Sequence, residues 1–357
     1  MPIVRSDRLH ELTRAICRGV GSSEREAELV ANHLVAANLA GHDSHGVGML
    51  PLYVQCWTED NLQPNKHADV VRDKGPILVI DGHRGFGQVI AHEAMELGMA
   101  KAKAEGAAIV ALRNSFHIGR IGHWSELCAK NGLASMHYVN VVDNNPIVAM
   151  HAAAEPVLST NPYSAALPGE NGNPLVLLDM ATSKIAMGKA RVAKNKGVPV
   201  PDGSLLDGEG KPTTDAGCMF PERLGALMAM GDHKGSGLAL ICELFAGALT
   251  GGRTLQPEHP RTGGAVNNML SVIIDPDAIG DGDACRQEAS AMVDYAKGAK
   301  LREDFDEILM PGEPEARQRK HRLEKGVDVD ETSWQEILSA AATAGVVPED
   351  IDTILRN

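Results

Sequence analysis

The spacing of apolar residues differs between the start of the 357-residue chain and its middle. In the first 60 residues apolar positions recur at intervals of three and four, as in "AELVANHLVAANLAG", which predicts amphipathic helices. Ser23 followed by Glu26 is typical of a capping box at the start of this helix, and Gly41 marks its end. The segment "GHDSHGVGMLP" therefore follows a helix, and we expect it to form a loop whose polar side chains can meet a ligand.

From about residue 76, short apolar runs alternate with helical segments. We predict strands in "PILVIDG", "AAIVALRNS", "LASMHYVNVV", "PLVLLDMA" and "MLSVIIDP", and helices in "QVIAHEAMELGMAKAKAEG" and "HWSELCAKNG". Strands that alternate with helices predict a layered α/β domain in which helices cover the sheet.

The C-terminal part returns to a helical period, in "PGEPEARQRKHRLEKG" and in "WQEILSAAATAG". The second of these helices has a predicted capping box formed by Ser333 and Glu336. We expect the helical segments at the two ends of the chain to pack together. The predicted organisation is a helical domain of residues 1–72 completed by residues 286–357, and an α/β domain of residues 73–285.

The composition argues against some classes of binding partner and indicates in which compartment the protein is found. The formal net charge is -13 and the sequence has no basic block, which argues against DNA, RNA and anionic membranes as partners because each needs clustered Lys and Arg. The six cysteines are far apart and form no CxxC pair, which favours reduced, buried thiols. The sequence has no run of about 18 apolar residues. We expect a soluble, cytoplasmic protein.

The sequence does not contain the dinucleotide-binding fingerprint of a Rossmann domain, G-x-G-x-x-G after a strand. "GFGQVI" and "GSGLAL" begin this pattern, but both lack the third glycine. A standard Rossmann domain is therefore not expected, and other modes of nicotinamide binding stay open.

Three other junctions have the features of anion sites. "FHIGRIG" places two glycines and Arg120 before a helix, and "MATSKIA" offers Thr182 and Ser183 as helix caps. "GDHKGSGLALICELF" opens an apolar helix with His233 and Lys234. A helix N-terminus presents unpaired N–H groups and partial positive charge, so each junction can hold a phosphate.

Three histidines lie in glycine-rich loops: His42, His45 and His117. An imidazole titrates near neutrality and can give or take the proton that accompanies hydride transfer. The alternative is a metal ion bound by His42, Asp43 and His45. We do not favour a metal, because three neighbours in a short loop seldom converge on one ion without distant ligands and the sequence has no H-E-x-x-H pattern.

With these segments the sequence resembles the malate/L-lactate/sulfolactate dehydrogenase family, which is unrelated to the Rossmann-type dehydrogenases, and within it the hydroxycarboxylate dehydrogenase B branch. The resemblance rests on "GHDSHGVGMLPLYV", "NSFHIGRIGHW", "LSTNPYSAALP", "LLDMATSKIAMGKARVAKNKGVPVP", "HKGSGLALICELFAGALTGG" and "LMPGEPE". It implies a non-Rossmann NAD(P)-binding domain with a mixed sheet in three layers. It also implies a homodimer that interconverts a 2-oxo acid, or a related cyclic imino acid, with its reduced form.

The resemblance also implies residue roles. His45 matches the family's proton donor beside the nicotinamide, and Ser44 lies on its substrate side. His117 matches a second histidine, so the choice of acid/base between the two stays open. Asp179 matches an acidic residue that orients a histidine or the substrate. The residues that match cofactor-binding segments are His45, Gly119, Arg120, Ile121, Leu177, Leu178, Asp179, Met180, Ala181, His233, Lys234, Asn267, Gly312, Glu313, Pro314 and Glu315.

The chain departs from the family pattern after "SHG", where Met49 stands at the place of an arginine suited to a substrate carboxylate. We hypothesise that Arg120 supplies the replacement cation as a substrate-binding residue. Met49 also favours a larger or aromatic 2-oxo acid over malate.

Several alternatives stay open. The cofactor is NAD or NADP, and the basic residues near the cofactor segments that suit a 2′-phosphate are Lys184, Lys189, Arg191 and Lys194. Rival functions are a cyclic imino acid reductase of the same family, a metal-dependent hydrolase or lyase that uses the "HDSH" loop, and a ligand-binding protein without catalysis.

Overall fold

The computed structural model describes residues 2–169, 173–220 and 225–356. Its strands are β1 (Ile3–Val4), β2 (Asp69–Lys74), β3 (Ile77–Asp81), β4 (Ala107–Phe116), β5 (Ala134–Val142), β6 (Val148–Ala149), β7 (Pro156–Leu158), β8 (Tyr163–Pro168), β9 (Pro174–Met180), β10 (Leu205–Leu206), β11 (Pro212–Thr213), β12 (Ala226–Met228), β13 (Val266–Ile274) and β14 (Val327–Asp328).

The α-helices are α1 (Ser6–Gly19), α2 (Glu24–Leu39), α3 (Leu50–Thr58), α4 (Gly87–Glu105), α5 (Gly122–Lys130), α6 (Met187–Lys196), α7 (His233–Cys242), α8 (Pro276–Ile279), α9 (Gly282–Lys297), α10 (Glu313–Lys325), α11 (Glu331–Thr343) and α12 (Pro348–Arg356). The helix α7 continues into a π-helical segment, Glu243–Leu249.

A seven-stranded mixed sheet forms the centre of the α/β part, in the order β2-β3-β4-β13-β5-β8-β9. Only β3 and β4 run parallel, and the other neighbouring strands of this sheet are antiparallel. The helix α4 packs closely on the sheet, because a Cβ at Gly98 would lie 2.6 Å from the Val110 side chain. The predicted α/β class is confirmed, and the five predicted strands of the α/β part all belong to this sheet.

A second sheet of five short strands was not predicted, and its order is β11-β10-β12-β6-β7. Its strands are two or three residues long. A run this short contains one alternation of side chains at most, so periodicity cannot distinguish it from a loop.

The helices at the two ends of the chain pack together in one hydrophobic cluster. Leu12 from α1 and Ile337 from α11 are both buried in it, and Phe116 at the end of β4 is part of the same cluster. The approach of the two ends is close, because a Cβ at Gly19 would lie 2.1 Å from the carbonyl oxygen of Ala344. The domain boundaries at residues 72–73 and 285–286 stay predictions.

One of the two predicted capping boxes is half formed and the other is wrong. Ser23 caps α2, since its hydroxyl accepts from the Glu26 amide. The Glu26 carboxylate does not return to Ser23 and instead accepts from the Asn65 amide and the Ser22 hydroxyl. The helix α11 begins at Glu331, with Asp330 as its cap. Ser333 is therefore inside the first turn, where its amide donates to Asp330, because an Asp one turn earlier serves as the cap.

The six cysteines form no disulfide with one another; five of them are buried and Cys285 is exposed. In the part of the chain that the structure describes, no helix has both the length and the apolar character needed to cross a bilayer.

Candidate active site

The segment after α2 is more ordered than the predicted loop, because it forms two 3₁₀ turns, Asp43–His45 and Val47–Met49. Buried Asn38, at the end of α2, holds both turns. Its Nδ2 donates to Asp43 Oδ1 at 2.7 Å, and its Oδ1 accepts from the Val47 amide at 2.8 Å. Arg322 from α10 forms an ion pair with Asp43. Asp43 is thus engaged in holding the segment and is not a free metal ligand.

Two glycines allow this segment to approach its neighbours closely. A Cβ at Gly46 would lie 2.2 Å from Asn38 Oδ1, so a larger residue there would displace the amide that holds both turns. A Cβ at Gly188, in the first turn of α6, would lie 2.7 Å from Ser44 Cβ. Ser44 therefore lies against the start of α6, next to His45.

The structure brings His45 and His117 into contact, although they are 72 positions apart in the sequence. His45 Nδ1 lies 3.2 Å from His117 Nε2, and the two ring planes differ by 7°. His117 follows β4 and is buried, whereas His45 is partly exposed. Two of the predicted catalytic residues therefore form one hydrogen-bonded pair.

Two residues that were not predicted extend this pair into the interior. The Tyr53 hydroxyl lies 2.7 Å from His117 Nδ1, and Gln88 Nε2 donates to the same hydroxyl at 2.7 Å. Tyr53 comes from α3 and Gln88 from the first turn of α4, and both are buried. Neither has a sequence signal of its own, although Gln88 belongs to "GFGQVI", the segment that was inspected only for its glycines.

A glycine places Gln88 beside His117. A Cβ at Gly87 would lie 2.3 Å from the carbonyl oxygens of both Phe116 and His117. The first residue of α4 therefore packs directly on the backbone that carries His117, and only glycine fits there without displacing it.

Burial keeps both histidines neutral. Desolvation lowers the pKa of His45 to about 4, opposed by the nearby Asp179 carboxylate, which favours the charged imidazole. Desolvation, with a smaller contribution from His45, lowers the pKa of His117 to about 3. Burial also raises the pKa of Tyr53. The whole chain from Gln88 to His45 is therefore uncharged at neutral pH.

A buried ionic cluster adjoins this chain. Arg120 Nη2 lies 3.2 Å from Glu126 Oε2, and Arg120 Nε lies 3.3 Å from Asp179 Oδ2. The Arg120 amide donates to His33 Nε2 at 2.9 Å. A Cβ at Gly122 would lie 2.3 Å from Asp179 Oδ2, so Asp179 on β9 lies directly against the start of α5. The guanidinium that we predicted as a cation for the substrate is thus already faced by two carboxylates.

The predicted cofactor segments on β9 and at the start of α10 lie side by side. The Leu177 amide donates to the Pro311 carbonyl at 3.0 Å. Gly312 has φ +97°, and a Cβ there would lie 3.0 Å from Leu177 Cβ. Glu315 Oε1 lies 3.4 Å from His42 Nε2, which brings the start of α10 to the His45 segment. The other residues of these two segments are Leu178, Asp179, Met180, Ala181, Glu313 and Pro314.

Asn267 positions the loop that carries His117. Its Oδ1 accepts from the Ile118 amide at 2.9 Å, and its Nδ2 donates to the Asn140 carbonyl at 3.0 Å. The loop continues through Gly119, with φ +72°, and Ile121, the residue before α5. Asn267 therefore links the loop after β4 to the backbone of β5.

The other basic candidates are Lys184, which precedes α6, Lys189, Arg191 and Lys194 on α6, and two residues at the start of α7. His233 and Lys234 are exposed in the first turn of α7, and the His233 ring lies 6.0 Å from that of His151. Lys184 donates to the Asp202 carbonyl, and Lys194 lies over the Phe220 ring. In the described ranges, no group of three or more His, Cys, Asp or Glu residues is placed to hold a metal ion.

The expectation that Thr182 and Ser183 cap a helix is wrong. The helix α6 begins only at Met187. The Thr182 hydroxyl donates to the Thr160 carbonyl at 2.8 Å, and that of Ser183 donates to the Ile185 carbonyl at 2.9 Å. Ser183 thus bonds local backbone, whereas Thr182 bonds a carbonyl 22 positions earlier in the chain, and sequence alone does not distinguish either use from a helix cap.

The whole chain resembles known dehydrogenases. It matches the malate/L-lactate dehydrogenase family over residues 4–338. Hydroxycarboxylate dehydrogenase B of Escherichia coli (strain K12) is 47% identical over 350 residues, which are 98% of this chain and 96% of that protein.

Two solved structures share the fold. One from Escherichia coli, provisionally described as a malate/lactate dehydrogenase, has a TM-score of 0.95 and 44% identity, covering 99% of this chain and 98% of that chain. The other, Δ1-piperideine-2-carboxylate reductase from Pseudomonas syringae, has a TM-score of 0.82 and 27% identity, covering 95% and 100%.

The lowered pKa values predict a pH dependence of stability. Unfolded histidine titrates near pH 6.5, so each buried neutral histidine stabilises the fold fully above that pH. As the pH falls from about 6.5 towards the folded pKa, His45 and His117 each remove about 1.4 kcal/mol per pH unit from the free energy of unfolding. Urea unfolding between pH 7.5 and 5 measures this loss, and ¹⁵N spectra of labelled histidine identify the residues. Protonation of folded His45 near pH 6 would contradict the assignment.

Proposed function

Because the chain belongs to the malate/L-lactate dehydrogenase family, we propose that it is an NAD(P)-dependent oxidoreductase that interconverts a 2-oxo carboxylate and its 2-hydroxy acid. The observation that carries this proposal is the neutral, hydrogen-bonded His45 beside the Asp179 carboxylate. A histidine in this setting can exchange a proton with a substrate oxygen, as reduction of a carbonyl requires.

A nicotinamide cofactor fits the residues between α5 and β9. Buried Arg120 Nε and Asp179 Oδ2 have no hydrogen-bond partner among the described residues, although they lie within ion-pair distance of each other. Buried polar atoms are rarely left in this state, so a ligand that completes their bonds would explain them. The start of α5 suits a negatively charged group, although the Arg120 amide before it already donates to His33. We propose the mixed sheet, without a Rossmann fingerprint, as the three-layer scaffold of this site.

The cofactor, when bound, supplies or accepts a hydride at the nicotinamide ring. In the reductive direction we propose that His45 takes up a proton when the substrate binds and that the resulting imidazolium gives this proton to the substrate oxygen, which leaves His45 neutral. In the oxidative direction neutral His45 takes the proton back and then releases it. The Asp179 carboxylate stabilises the charged form of His45. His117 holds the His45 ring through Nδ1 and so directs the other ring nitrogen to the substrate. Ser44, against the start of α6, is placed to bind the substrate beside His45.

Substrate choice rests on two further residues. We propose that Arg120 orients the substrate carboxylate directly, because its charge lies in the cluster beside His45. Met49 packs its partly buried side chain against the core of the terminal helices and adds no charge to the site. These two features support a larger or less polar 2-oxo acid as substrate.

A cyclic imino acid reductase is the second candidate function. It is favoured by the structural similarity to Δ1-piperideine-2-carboxylate reductase over 95% of this chain. Such a substrate has a carboxylate beside a carbon–nitrogen double bond, and the same histidine can supply its proton.

We propose that the protein is a homodimer. The 16-residue helix α9 buries only Gly282 within one chain, and none of residues 283–312 is buried. Met292 and Tyr295 are 59% and 78% exposed. Since a helix owes most of its stability to packing of an apolar face, this segment needs a covering surface. A second copy is the occupant that we propose, because the segment leads directly into Gly312 and Glu315 of the site.

The first prediction concerns activity. Among pyruvate, oxaloacetate, phenylpyruvate and hydroxyphenylpyruvate, at least one is expected to be reduced with NADH or NADPH, measured by nicotinamide absorbance. His45→Asn is expected to lower kcat by about 10²–10⁴, the usual effect of losing a general acid. His67→Asn, a change at an exposed histidine, is the control and should leave kcat unchanged. Turnover at the native rate by His45→Asn would transfer the role to His117. Activity only with Δ1-piperideine-2-carboxylate would favour the second function.

The second prediction separates substrate from cofactor binding. Arg120→Ala is expected to raise KM for the 2-oxo acid about 10- to 100-fold, the equivalent of one charged hydrogen bond, and to weaken cofactor binding by a smaller factor. Arg120→Lys keeps the charge between Glu126 and Asp179 and should recover part of this loss. An effect confined to cofactor affinity would remove Arg120 from the substrate site.

The third prediction concerns assembly. Light scattering coupled to gel filtration is expected to give the mass of two chains for the native protein and of one chain for Tyr295→Glu, because a buried unpaired carboxylate opposes association. Leu97→Glu, at an exposed position of α4, should remain dimeric. A native protein with the mass of a single chain would refute the dimer.

A further inference from the structure

We propose that Gln88 and Tyr53 are positioning residues that determine which ring nitrogen of His45 carries the proton. Gln88 is far from His45 in the sequence, and both residues act on His45 through His117. The inference depends on the proposed function only for its kinetic consequence, since the position of the proton can be observed without turnover.

The amide of Gln88 determines the direction of the first hydrogen bond. Gln88 Nε2 donates to the Tyr53 oxygen at 2.7 Å. The Tyr53 hydroxyl has a single hydrogen, and its other close polar neighbour is His117 Nδ1, also at 2.7 Å. The hydroxyl therefore donates to His117 Nδ1, which must be unprotonated.

The same reasoning gives the direction of the hydrogen bond between His117 and His45. A neutral imidazole that accepts at Nδ1 carries its proton on Nε2. His117 Nε2–H therefore donates to His45 Nδ1 across 3.2 Å. By the same rule neutral His45 carries its proton on Nε2, the ring nitrogen that no described residue bonds. Both rings are neutral because burial lowers their pKa values.

A glutamine is not expected at buried position 88 if the side chain serves only for packing. Its side chain is 1% exposed, and its Oε1 has no hydrogen-bond partner among the described residues. A buried amide oxygen without a partner destabilises the fold, and an apolar side chain of the same length would avoid this cost. The amide contributes one hydrogen-bond donor, which donates to the Tyr53 hydroxyl.

The consequence is that His45 presents a hydrogen-bond donor to the substrate. A donor at Nε2 matches the carbonyl oxygen of a 2-oxo acid, whereas a hydroxy acid is matched best by an unprotonated ring nitrogen. The chain of Gln88, Tyr53 and His117 thus prepares the free enzyme to bind the oxidised substrate.

Gln88→Glu is the direct test at a pH where the new carboxyl group is ionised, because a carboxylate only accepts hydrogen bonds. Tyr53 would then donate to residue 88, His117 would donate to Tyr53 from Nδ1, and His45 would donate to His117 from Nδ1. In ¹⁵N-histidine spectra of the full-length protein, we expect Nε2–H on both rings in the native protein and Nδ1–H on both in Gln88→Glu. Gln335→Glu, an exposed site on α11, is the matched control and should keep the native pattern.

Two further variants guard against misfolding of Gln88→Glu. Gln88→Met removes the donor without adding charge and is expected to give a mixture of both forms on His117. Tyr53→Phe breaks the chain and should give the same mixture, whereas Tyr138→Phe should not. Thermal unfolding and cofactor affinity show which variants are folded. Unchanged Nε2–H on both histidines in folded Gln88→Met and Tyr53→Phe would overturn the proposal.

Kinetics test the consequence. In Gln88→Glu we expect KM for the 2-oxo acid to rise about three- to tenfold, the value of one neutral hydrogen bond, while KM for the hydroxy acid falls. With the hydrogen bonds reversed, charged His45 also has an acceptor for its Nδ1 proton, which raises the pKa of His45. The acid limb of kcat/KM for oxidation should therefore move to higher pH. A uniform loss of kcat with an unchanged pH profile would indicate a packing role only. If no 2-oxo acid is turned over, the proposed function fails, and the ¹⁵N spectra still decide the role of Gln88.

Discussion

The hydrogen bond between His45 Nδ1 and His117 Nε2 joins the turns after α2 to the loop after β4. The contacts around it fix the positions of these two segments. His45 belongs to the turns after α2, which Asn38 and Arg322 hold in place. His117 belongs to the loop after β4. Because the bond spans two structural units, any change in their packing changes the orientation of the imidazole that faces the substrate.

Burial has two consequences at this site. It reduces the hydration of both imidazoles and keeps them neutral, and it also strengthens the effect of nearby charges, so Asp179 favours a positive charge on His45. A proton can therefore be placed on His45 when a substrate needs it, without a permanent charge in the free protein. The ion pairs of Arg120 with Glu126 and Asp179 keep the strongest local positive charge compensated.

Local chemistry in the sequence predicted the residues of the site better than their roles. His45 and His117 were predicted from their loops and Asp179 from the family resemblance, and the three lie together. Tyr53 and Gln88 were missed because a tyrosine on an apolar helix face and a glutamine after glycines have no distinctive spacing. Arg120 was read as a free cation, but its partners come from α5 and β9, which the sequence does not place beside it. Thr182 and Ser183 were read as caps because the start of α6 was predicted too early.

The sequence by itself determined the α/β class, five of the seven strands of the large sheet, the terminal helices and the position of the histidine segment after α2. These follow from periodicity and from turn residues, which act over a few positions. Only the tertiary structure decided the pairing of His45 with His117, the small second sheet and the close contacts at Gly87 and Gly122. These contacts join residues far apart in the chain, and their formation depends on how helices and strands pack, which no local pattern encodes.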